Sequence, residues 1–165
     1  MKIKITMTVI LLAVIAVLAS LYLFPGDKIK IKKQFEALSN FVSKEKGESA
    51  FTMAYKVNAL ASLFADSCSF EFSQNYMTGE FTPDQITSHA TKGRSRFLKI
   101  SLKFYDIVPD IRNDVAIVET TVRFHGEIKD SAKVAEETRE IQCNLKKTDG
   151  KWKFTAFKVV EVLKK

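Results

Sequence analysis

The chain has 165 residues, enough for one domain of ordinary size and a short appendage. Its composition, 46% hydrophobic and 27% charged, excludes a disordered or a collagen-like protein. The net charge of +7 would suit nucleic acid or an anionic membrane, but no zinc-finger or RNA-binding signature accompanies the lysines, so we expect no nucleic-acid partner.

Residues 1–26 are predicted to be an N-terminal membrane anchor. Residues 5–24 carry no charge, and a helix of that length crosses a hydrocarbon core of about 30 Å. The alternative is a signal peptide cleaved after Ala19, but the apolar run continues beyond that site as far as Phe24. We therefore favour an uncleaved, single-pass span.

The flanks of this span give conflicting cues to its orientation. A short lysine-bearing head before a hydrophobic span is typical of exported proteins, whereas Lys28 and its neighbours would favour the opposite orientation by the positive-inside rule. Long domains translocate largely regardless of charge. We expect a bacterial inner-membrane protein with its domain on the extracytoplasmic, periplasmic side.

The lysines beyond the span form two modest clusters. We interpret both as solvated side chains on a small basic domain. The first cluster comprises Lys28, Lys30, Lys32 and Lys33, and the second, around a predicted hairpin, comprises Lys146, Lys147, Lys151 and Lys153.

Residues 27–165 are predicted to form one α+β domain that begins with two helices. Helical spacing of apolar residues predicts a helix from Asp27 to about Lys46, stopped by Gly47. Ser49 is a suitable cap for the second helix. Its predicted apolar stripe comprises Met53, Val57, Leu60 and Phe64.

A third helix has the clearest local signal. In the run Thr82-Pro83-Asp84-Gln85, Thr82 is a helix cap, Pro83 occupies the first helical position and Gln85 completes a capping box. This helix should continue to about Arg96. It follows a predicted strand over residues 66–72.

Four longer strands complete the predicted domain. Alternating apolar residues define each of them, and the last is apolar on both faces, which indicates a central strand. We expect one strongly curved, mostly antiparallel sheet covered by three helices. The predicted strands span residues 99–108, 115–125, 138–147 and 152–163, with a turn region marked by Pro109–Asp110 and Asn113–Asp114 and a hairpin turn at Thr148–Gly150.

The two cysteines, Cys68 and Cys143, both occupy apolar-facing positions of predicted strands. We favour buried thiols, and a disulfide between them is the alternative. Neither has a Cys-x-x-Cys partner or a nearby histidine, so we expect no metal site and no cofactor.

This order of elements resembles the nuclear transport factor two-like superfamily, which includes ketosteroid isomerases and polyketide cyclases. The resemblance covers about residues 27–165 and includes the Thr82–Gln85 helix start and the hairpin from Thr148 to Phe154 with its Asp149-Gly150 turn and Trp152. It implies a cone-shaped domain around an apolar pocket. Many members pair through the outer face of the sheet. Assembly factors of type IV secretion systems and actinobacterial proteins associated with lipid importers combine this fold with a single N-terminal span.

The resemblance also implies that a pocket, where present, is lined by residues pointing into the cone. We expect no catalytic set, because none of the ionisable candidates, His89, Asp106, Glu119 and His125, matches a catalytic pattern. The residues predicted to line the pocket are Tyr55, Tyr76, Phe104, Thr120 and Phe124.

Three functions are compatible with these predictions. We favour a non-catalytic, membrane-tethered binding or interaction domain whose cone either holds a small apolar ligand or is simply filled by phenylalanine side chains. The alternatives are an isomerase, dehydratase or cyclase of the same fold, and a structural subunit of an envelope complex that meets its partner, or a second copy, through the outer sheet face.

Overall fold

The computed structural model of the protein describes residues 26–72 and 78–160, which form the predicted α+β domain. Three helices and six strands occupy these ranges. Their bounds are α1 Asp27–Val42, α2 Ala50–Ala61, β1 Phe64–Glu71, β2 Thr78–Phe81, α3 Pro83–Ser95, β3 Phe97–Arg112, β4 Val115–Ile128, β5 Val134–Thr148 and β6 Lys151–Val159.

The predicted anchor at residues 5–24 lies outside the described ranges. Within residues 26–72 and 78–160, no helix combines the length and the hydrophobicity needed to cross a bilayer. The anchor therefore stays a prediction from the sequence.

The six strands form one mixed sheet in the order β2-β1-β6-β5-β4-β3. All neighbouring strands are antiparallel except β1 and β6, which run parallel. β6 has a neighbour on each side, and this confirms that the last predicted strand is central. Register shifts interrupt the β1–β6, β3–β4 and β5–β6 pairings. Such irregularities bend strands and increase their twist, which allows the sheet to curve around the helices.

The first long strand, β3, passes through a proline where we expected a turn. Pro109 pairs opposite Val118 inside β3, and the chain reverses instead at Asn113, whose φ is 55°. β3 is at the edge of the sheet, so the missing N–H of a proline need not interrupt a ladder. The turn region predicted from Pro109 to Asp114 is therefore confined to Asn113–Asp114, and its first part belongs to β3.

The first two helices are shorter than predicted. α1 ends at Val42, because Ser43 is extended and Lys44 exchanges two backbone hydrogen bonds of 2.9 Å with Ile100 of β3. α2 begins after Ser49, whose hydroxyl accepts a hydrogen bond from the Thr52 N–H, as expected of a cap. α2 ends at Ala61, so Phe64, which we predicted on its apolar stripe, opens β1.

The predicted start of the third helix is confirmed. The Thr82 hydroxyl accepts a hydrogen bond from the Gln85 N–H, and the Gln85 side chain accepts one from the Thr82 N–H at 2.9 Å. This reciprocal pair satisfies two N–H groups that the helix itself cannot pair. It fixes the point at which α3 leaves β2.

The core lies between α1 and the concave face of the sheet. Phe35 of α1 is fully buried, and its ring meets Phe104 and Phe154 edge-on at centroid distances of 5.2 and 5.1 Å. Cys68 and Cys143 are free and fully buried, which confirms the preferred thiol prediction. β6 lies between their strands, so their Cα atoms are at least roughly 9–10 Å apart, beyond the ~7 Å reach of a disulfide.

Candidate functional site

A cavity of about 640 Å³ lies between the helices and the concave face of the sheet. All but three of its lining residues are apolar. The helices contribute Leu38, Val42, Leu60, Ile86, His89 and Ala90, and the strands and the residue after β1 contribute Phe64, Phe70, Phe72, Leu102, Phe104, Val122, Phe124, Glu137, Arg139, Ile141, Phe157 and Val159.

Phenylalanine rings form much of the wall. Phe70 of β1 stacks on Phe157 of β6 with a centroid distance of 5.3 Å and an interplanar angle of 8°, and Phe64 packs beside Phe157 at 6.1 Å. These strands are neighbours in the sheet, so their inward side chains necessarily meet. A wall of aromatic rings offers apolar area without hydrogen-bonding groups, which suits an apolar molecule.

The three polar lining residues mark the opening of the cavity. Glu137 and Arg139 lie on the same face of β5 as Ile141, opposite Phe124 and Val122 of β4. The Arg139 Nε donates a hydrogen bond of 2.7 Å to the Glu137 carboxylate, and both side chains remain partly exposed. His89 of α3 is exposed and lies edge-on against Phe81. The cavity thus has an apolar interior and a polar, solvent-facing mouth.

Two of the predicted pocket residues line this cavity. Phe104 of β3 and Phe124 of β4 point into it from paired strands, as the alternation of apolar residues predicted. Tyr76 lies outside the described residues.

Thr120 shares the concave face of β4 but does not line the cavity. It lies opposite a bulge at which Asp106 and Ile107 replace one residue of β3, and Asp106 has a φ of 57°. The Thr120 hydroxyl donates a hydrogen bond of 2.5 Å to the Tyr105 carbonyl beside the bulge. The Thr120 hydroxyl, which we predicted to line the pocket, is therefore already hydrogen-bonded beside the bulge.

Tyr55 was also wrongly placed in the pocket. Its side chain is largely exposed, and its ring lies edge-on against Phe41 with a centroid distance of 6.4 Å. Leu60 is the residue of α2 that lines the cavity. Tyr55 is five residues earlier in the same helix, so the two side chains are about 140° apart around the helix axis. Tyr55 consequently faces away from the cavity.

Of the four ionisable candidates, His89 alone borders the cavity. Asp106 is exposed at the bulge, and Glu119 is exposed on the convex face of the sheet. His125 is on that convex face too, where its Nδ1 lies 2.7 Å from the Glu136 carboxylate. These three side chains cannot act on a molecule inside the cone.

A buried ion pair, which the sequence analysis missed, holds the helices over the cavity. Arg94 of α3 and Glu48 form a hydrogen-bonded salt bridge, and each side chain is 3% exposed. The Arg94 Nη1 also donates to the carbonyls of Phe41, Val42 and Ser43, at 2.8, 2.6 and 3.0 Å, where α1 ends. Glu48 accepts a second hydrogen bond from Lys56 of α2 at 2.9 Å. One cluster thus ties α3 to α1 and α2.

Sequence signals for these missed residues exist in retrospect. Arg94 lies four residues after Ala90 and eight after Ile86, on the stripe by which α3 faces the core. Glu137 and Arg139 continue the alternation of Ile141 toward the N-terminus, and Glu137 lies just before the predicted start of that strand at residue 138. None of the three was among the residues predicted for the site.

The convex face of the sheet carries a shallower groove of about 320 Å³ between β3, β4 and β5. Its lining is polar apart from Tyr105. Beside it, four apolar side chains of β3 and β4 are exposed: Tyr105, Val108, Val115 and Ile117. We call these four residues the convex patch.

The chain matches no family model and no curated protein. It is similar to solved structures, however. A protein of Kribbella flavida superposes with a TM-score of 0.69 at 11% identity, covering 81% of this chain and 89% of that one. A nuclear transport factor two-like protein with a cystatin-like fold from Novosphingobium aromaticivorans gives 0.64 at 10% identity, covering 94% and 90%.

The chain has the nuclear transport factor two-like fold. A type 2 hexachlorocyclohexane dehydrochlorinase shares it, with a TM-score of 0.64, 12% identity and coverage of 80% of this chain and 82% of that one. At such identities the likeness establishes the fold alone. This fold is shared by enzymes and by proteins without an assigned activity, so function has to be argued from the cavity itself.

Proposed function

We propose that this domain binds a small, largely apolar molecule in the cone and does not transform it. The observation that carries the proposal is the cavity of about 640 Å³ with an almost wholly apolar lining. Ligand sites in proteins commonly measure about 300–1,000 Å³ and combine an apolar wall with a few polar groups. A cone filled by its own phenylalanines would have left no such space.

The mouth indicates the polarity of the ligand. Glu137 and Arg139 neutralise each other through their hydrogen bond, so a charged group in the ligand would have to compete with an existing ion pair. A hydroxyl or carbonyl group needs only an additional hydrogen bond there. An uncharged molecule with one polar end fits both regions of the cavity.

We further propose that residues 5–24 tether this binding domain to the bacterial inner membrane, with the domain outside the cytoplasm. The support is the length of the uncharged run in the sequence. Tethering would keep the cavity close to the envelope components that supply or receive the ligand.

Thermal unfolding of the full chain in lipid nanodiscs, with a panel of neutral aromatic and terpenoid alcohols and ketones, tests the proposal. A ligand that binds the native state at a concentration of 100 times its Kd adds about 2.7 kcal/mol of stability. We expect at least one compound to raise the Tm, its carboxylate analogue to do so less, and Ala90→Phe, which fills the cavity, to abolish the effect. Ala54→Phe on the exposed side of α2 is the matched control. Equal shifts in wild type and Ala90→Phe would refute binding in the cone.

One observation favours an enzyme as the second candidate. His89 and Glu137, a base and an acid by type, both border the cavity, and a dehydrochlorinase shares the fold. Against this, each is exposed to solvent rather than enclosed in an apolar site that would tune it. If a bound compound is converted, and His89→Asn and Glu137→Gln each abolish conversion but not binding, the enzymatic alternative replaces the binding proposal.

The convex patch supports a proposed contact with another protein chain, either a second copy or an envelope-complex subunit. Val108 and Ile117 lie on adjacent strands and face solvent together. Exposed apolar side chains grouped on one sheet face are typical of interaction surfaces.

A further inference from the structure

The fold brings together the two lysine clusters that are far apart in the sequence. Asp27, the first residue of α1, accepts hydrogen bonds of 3.0 Å from the Trp152 Nε1 and 3.0 Å from the Lys147 Nζ. These bonds fix the start of α1 on the hairpin between β5 and β6. We call this region the basic end; its lysines are Lys28, Lys30, Lys32, Lys33, Lys146, Lys147, Lys151 and Lys153.

Positive charge remains in excess at the basic end. Asp27 is already shared by Lys147 and Lys30. Two exposed acidic residues, Asp114 and Asp149, lie in the turns beside it, where the Asp114 carbonyl accepts a hydrogen bond from the Lys147 N–H. They are outnumbered by the exposed lysines, which include Lys28, Lys32, Lys33, Lys146 and Lys151.

The basic end is also the end at which the predicted span joins the domain. Phe24, the last residue of the span, is three residues before Asp27. Consecutive Cα atoms are 3.8 Å apart, so the two cannot be separated by more than about 11 Å whatever the path of the chain. A span within the bilayer would therefore hold the basic end at the level of the lipid headgroups.

The mouth of the cavity is far from this end. On β5, Arg139 at the mouth and Lys147 at the basic end are eight residues apart. At about 3.3 Å per residue of strand, this separation is roughly 26 Å. If the domain contacts the membrane through its basic end, the mouth of the cavity faces away from the membrane.

We propose that the basic end binds anionic phospholipid headgroups, so that the domain stands on the membrane with its cavity opening into the aqueous compartment. This inference rests on the tether in the proposed function and adds the lipid class and the orientation. It follows that the ligand enters from water or from a partner protein, rather than directly from the bilayer.

The test uses the full chain in nanodiscs of neutral phosphatidylcholine or of phosphatidylcholine mixed with anionic phosphatidylglycerol. The rate of modification of each lysine by a water-soluble amine reagent is measured by mass spectrometry. We expect Lys146, Lys151 and Lys153 to react roughly fivefold more slowly on the anionic discs, and 1 M salt to remove the protection. Lys92, Lys103 and Lys129, exposed outside the basic end, are internal controls with unchanged rates. Equal rates on both lipids would overturn the inference.

A pair of variants tests the orientation independently. Trp152 is the single tryptophan of the chain, so energy transfer from it to a dansyl-labelled headgroup reports how close the hairpin lies to the lipid. The triple variant Lys146→Gln, Lys151→Gln, Lys153→Gln should lower transfer on anionic discs to the neutral-disc level, whereas Lys92→Gln, Lys103→Gln, Lys129→Gln should not. Transfer unaffected by the hairpin variant would refute the basic end as the contact.

Failure of the tether gives a different result. A chain without a span would not stay on neutral discs and would be released from anionic discs by 1 M salt, which would refute the tether and the fixed orientation that rests on it. A chain that stays with the lipid but shows no protection refutes the inference alone. Ligand-induced Tm shifts report separately on the cavity.

Discussion

Arg94 and Glu48 form a salt bridge that is almost completely buried, although they belong to different segments of the chain. The Arg94 guanidinium also donates hydrogen bonds to backbone carbonyls at the end of α1, so a single side chain positions the helices that cover the cavity. Removing one partner of a buried pair leaves an uncompensated charge, which typically costs about 3–5 kcal/mol.

We therefore expect Arg94→Met to lower the free energy of unfolding by about 3–5 kcal/mol in denaturant titrations. Arg96→Met, two residues later and exposed, should change it by less than about 0.5 kcal/mol. The double variant Arg94→Met, Glu48→Leu should be more stable than Arg94→Met, because it removes a buried carboxylate that Lys56 alone would otherwise have to balance. A double variant no more stable than the single one would contradict a role for the ion pair.

Stability should fall in acid partly through Glu48. Burial raises the pKa of Glu48, but hydrogen bonds from Lys56 and Arg94 outweigh burial and hold that pKa below its ordinary value. A carboxylate with a lowered folded-state pKa stabilises the fold above its unfolded-state pKa, about 4, and loses this contribution as the pH falls through the lower folded-state value.

The stability difference between wild type and Glu48→Gln should accordingly be largest near neutral pH and shrink below about pH 4. Denaturant titrations at a series of pH values measure it. Glu45→Gln, at an exposed glutamate paired with Lys99, should give a small and nearly constant difference. A Glu48→Gln difference that does not vary with pH would show that the carboxylate is not held in its charged form.

Both cysteines should be unreactive in the native protein. Burial raises the pKa of Cys68 to about 12, and burial together with the neighbouring Cys68 raises the pKa of Cys143 well above its ordinary value. The thiolate is the reactive form, so a thiol reagent at pH 8 should react only after unfolding, and then with both residues. If the protein is unfolded without a reductant and no cysteine then reacts with the reagent, the two cysteines form a disulfide instead.

The convex patch should govern assembly. We expect light scattering to give a mass above that of one chain for the detergent-solubilised protein, and Ile117→Asp or Val108→Asp to reduce it to one chain, since a buried charge opposes association. Phe51→Asp, at an exposed apolar residue of α2, is the control that should leave the mass unchanged. Wild-type protein that runs as a single chain would exclude self-association through this face.

Local signals in the sequence predicted local structure well, because neighbouring residues alone decide it. The capping box at Thr82 and Gln85 needs no distant partner, and the alternation in β4 separates the buried Val118 from the exposed Glu119. Side-chain roles that depend on distant segments could not be predicted. Thr120 does not line the cavity because its hydroxyl is hydrogen-bonded beside a bulge on another strand. Arg94 is buried because it forms a salt bridge with Glu48, forty-six positions away.

The central position of β6 has a consequence for how the chain acquires its structure. Phe64 and Phe154 are paired in the parallel β1–β6 ladder, so this ladder closes a loop of roughly ninety residues. Until β6 forms, β1 and β5 each have an unpaired edge, and contacts this far apart in sequence slow folding. The folding chain is therefore most exposed to aggregation just before the β5–β6 hairpin forms, and this exposure follows from the topology rather than from any single residue.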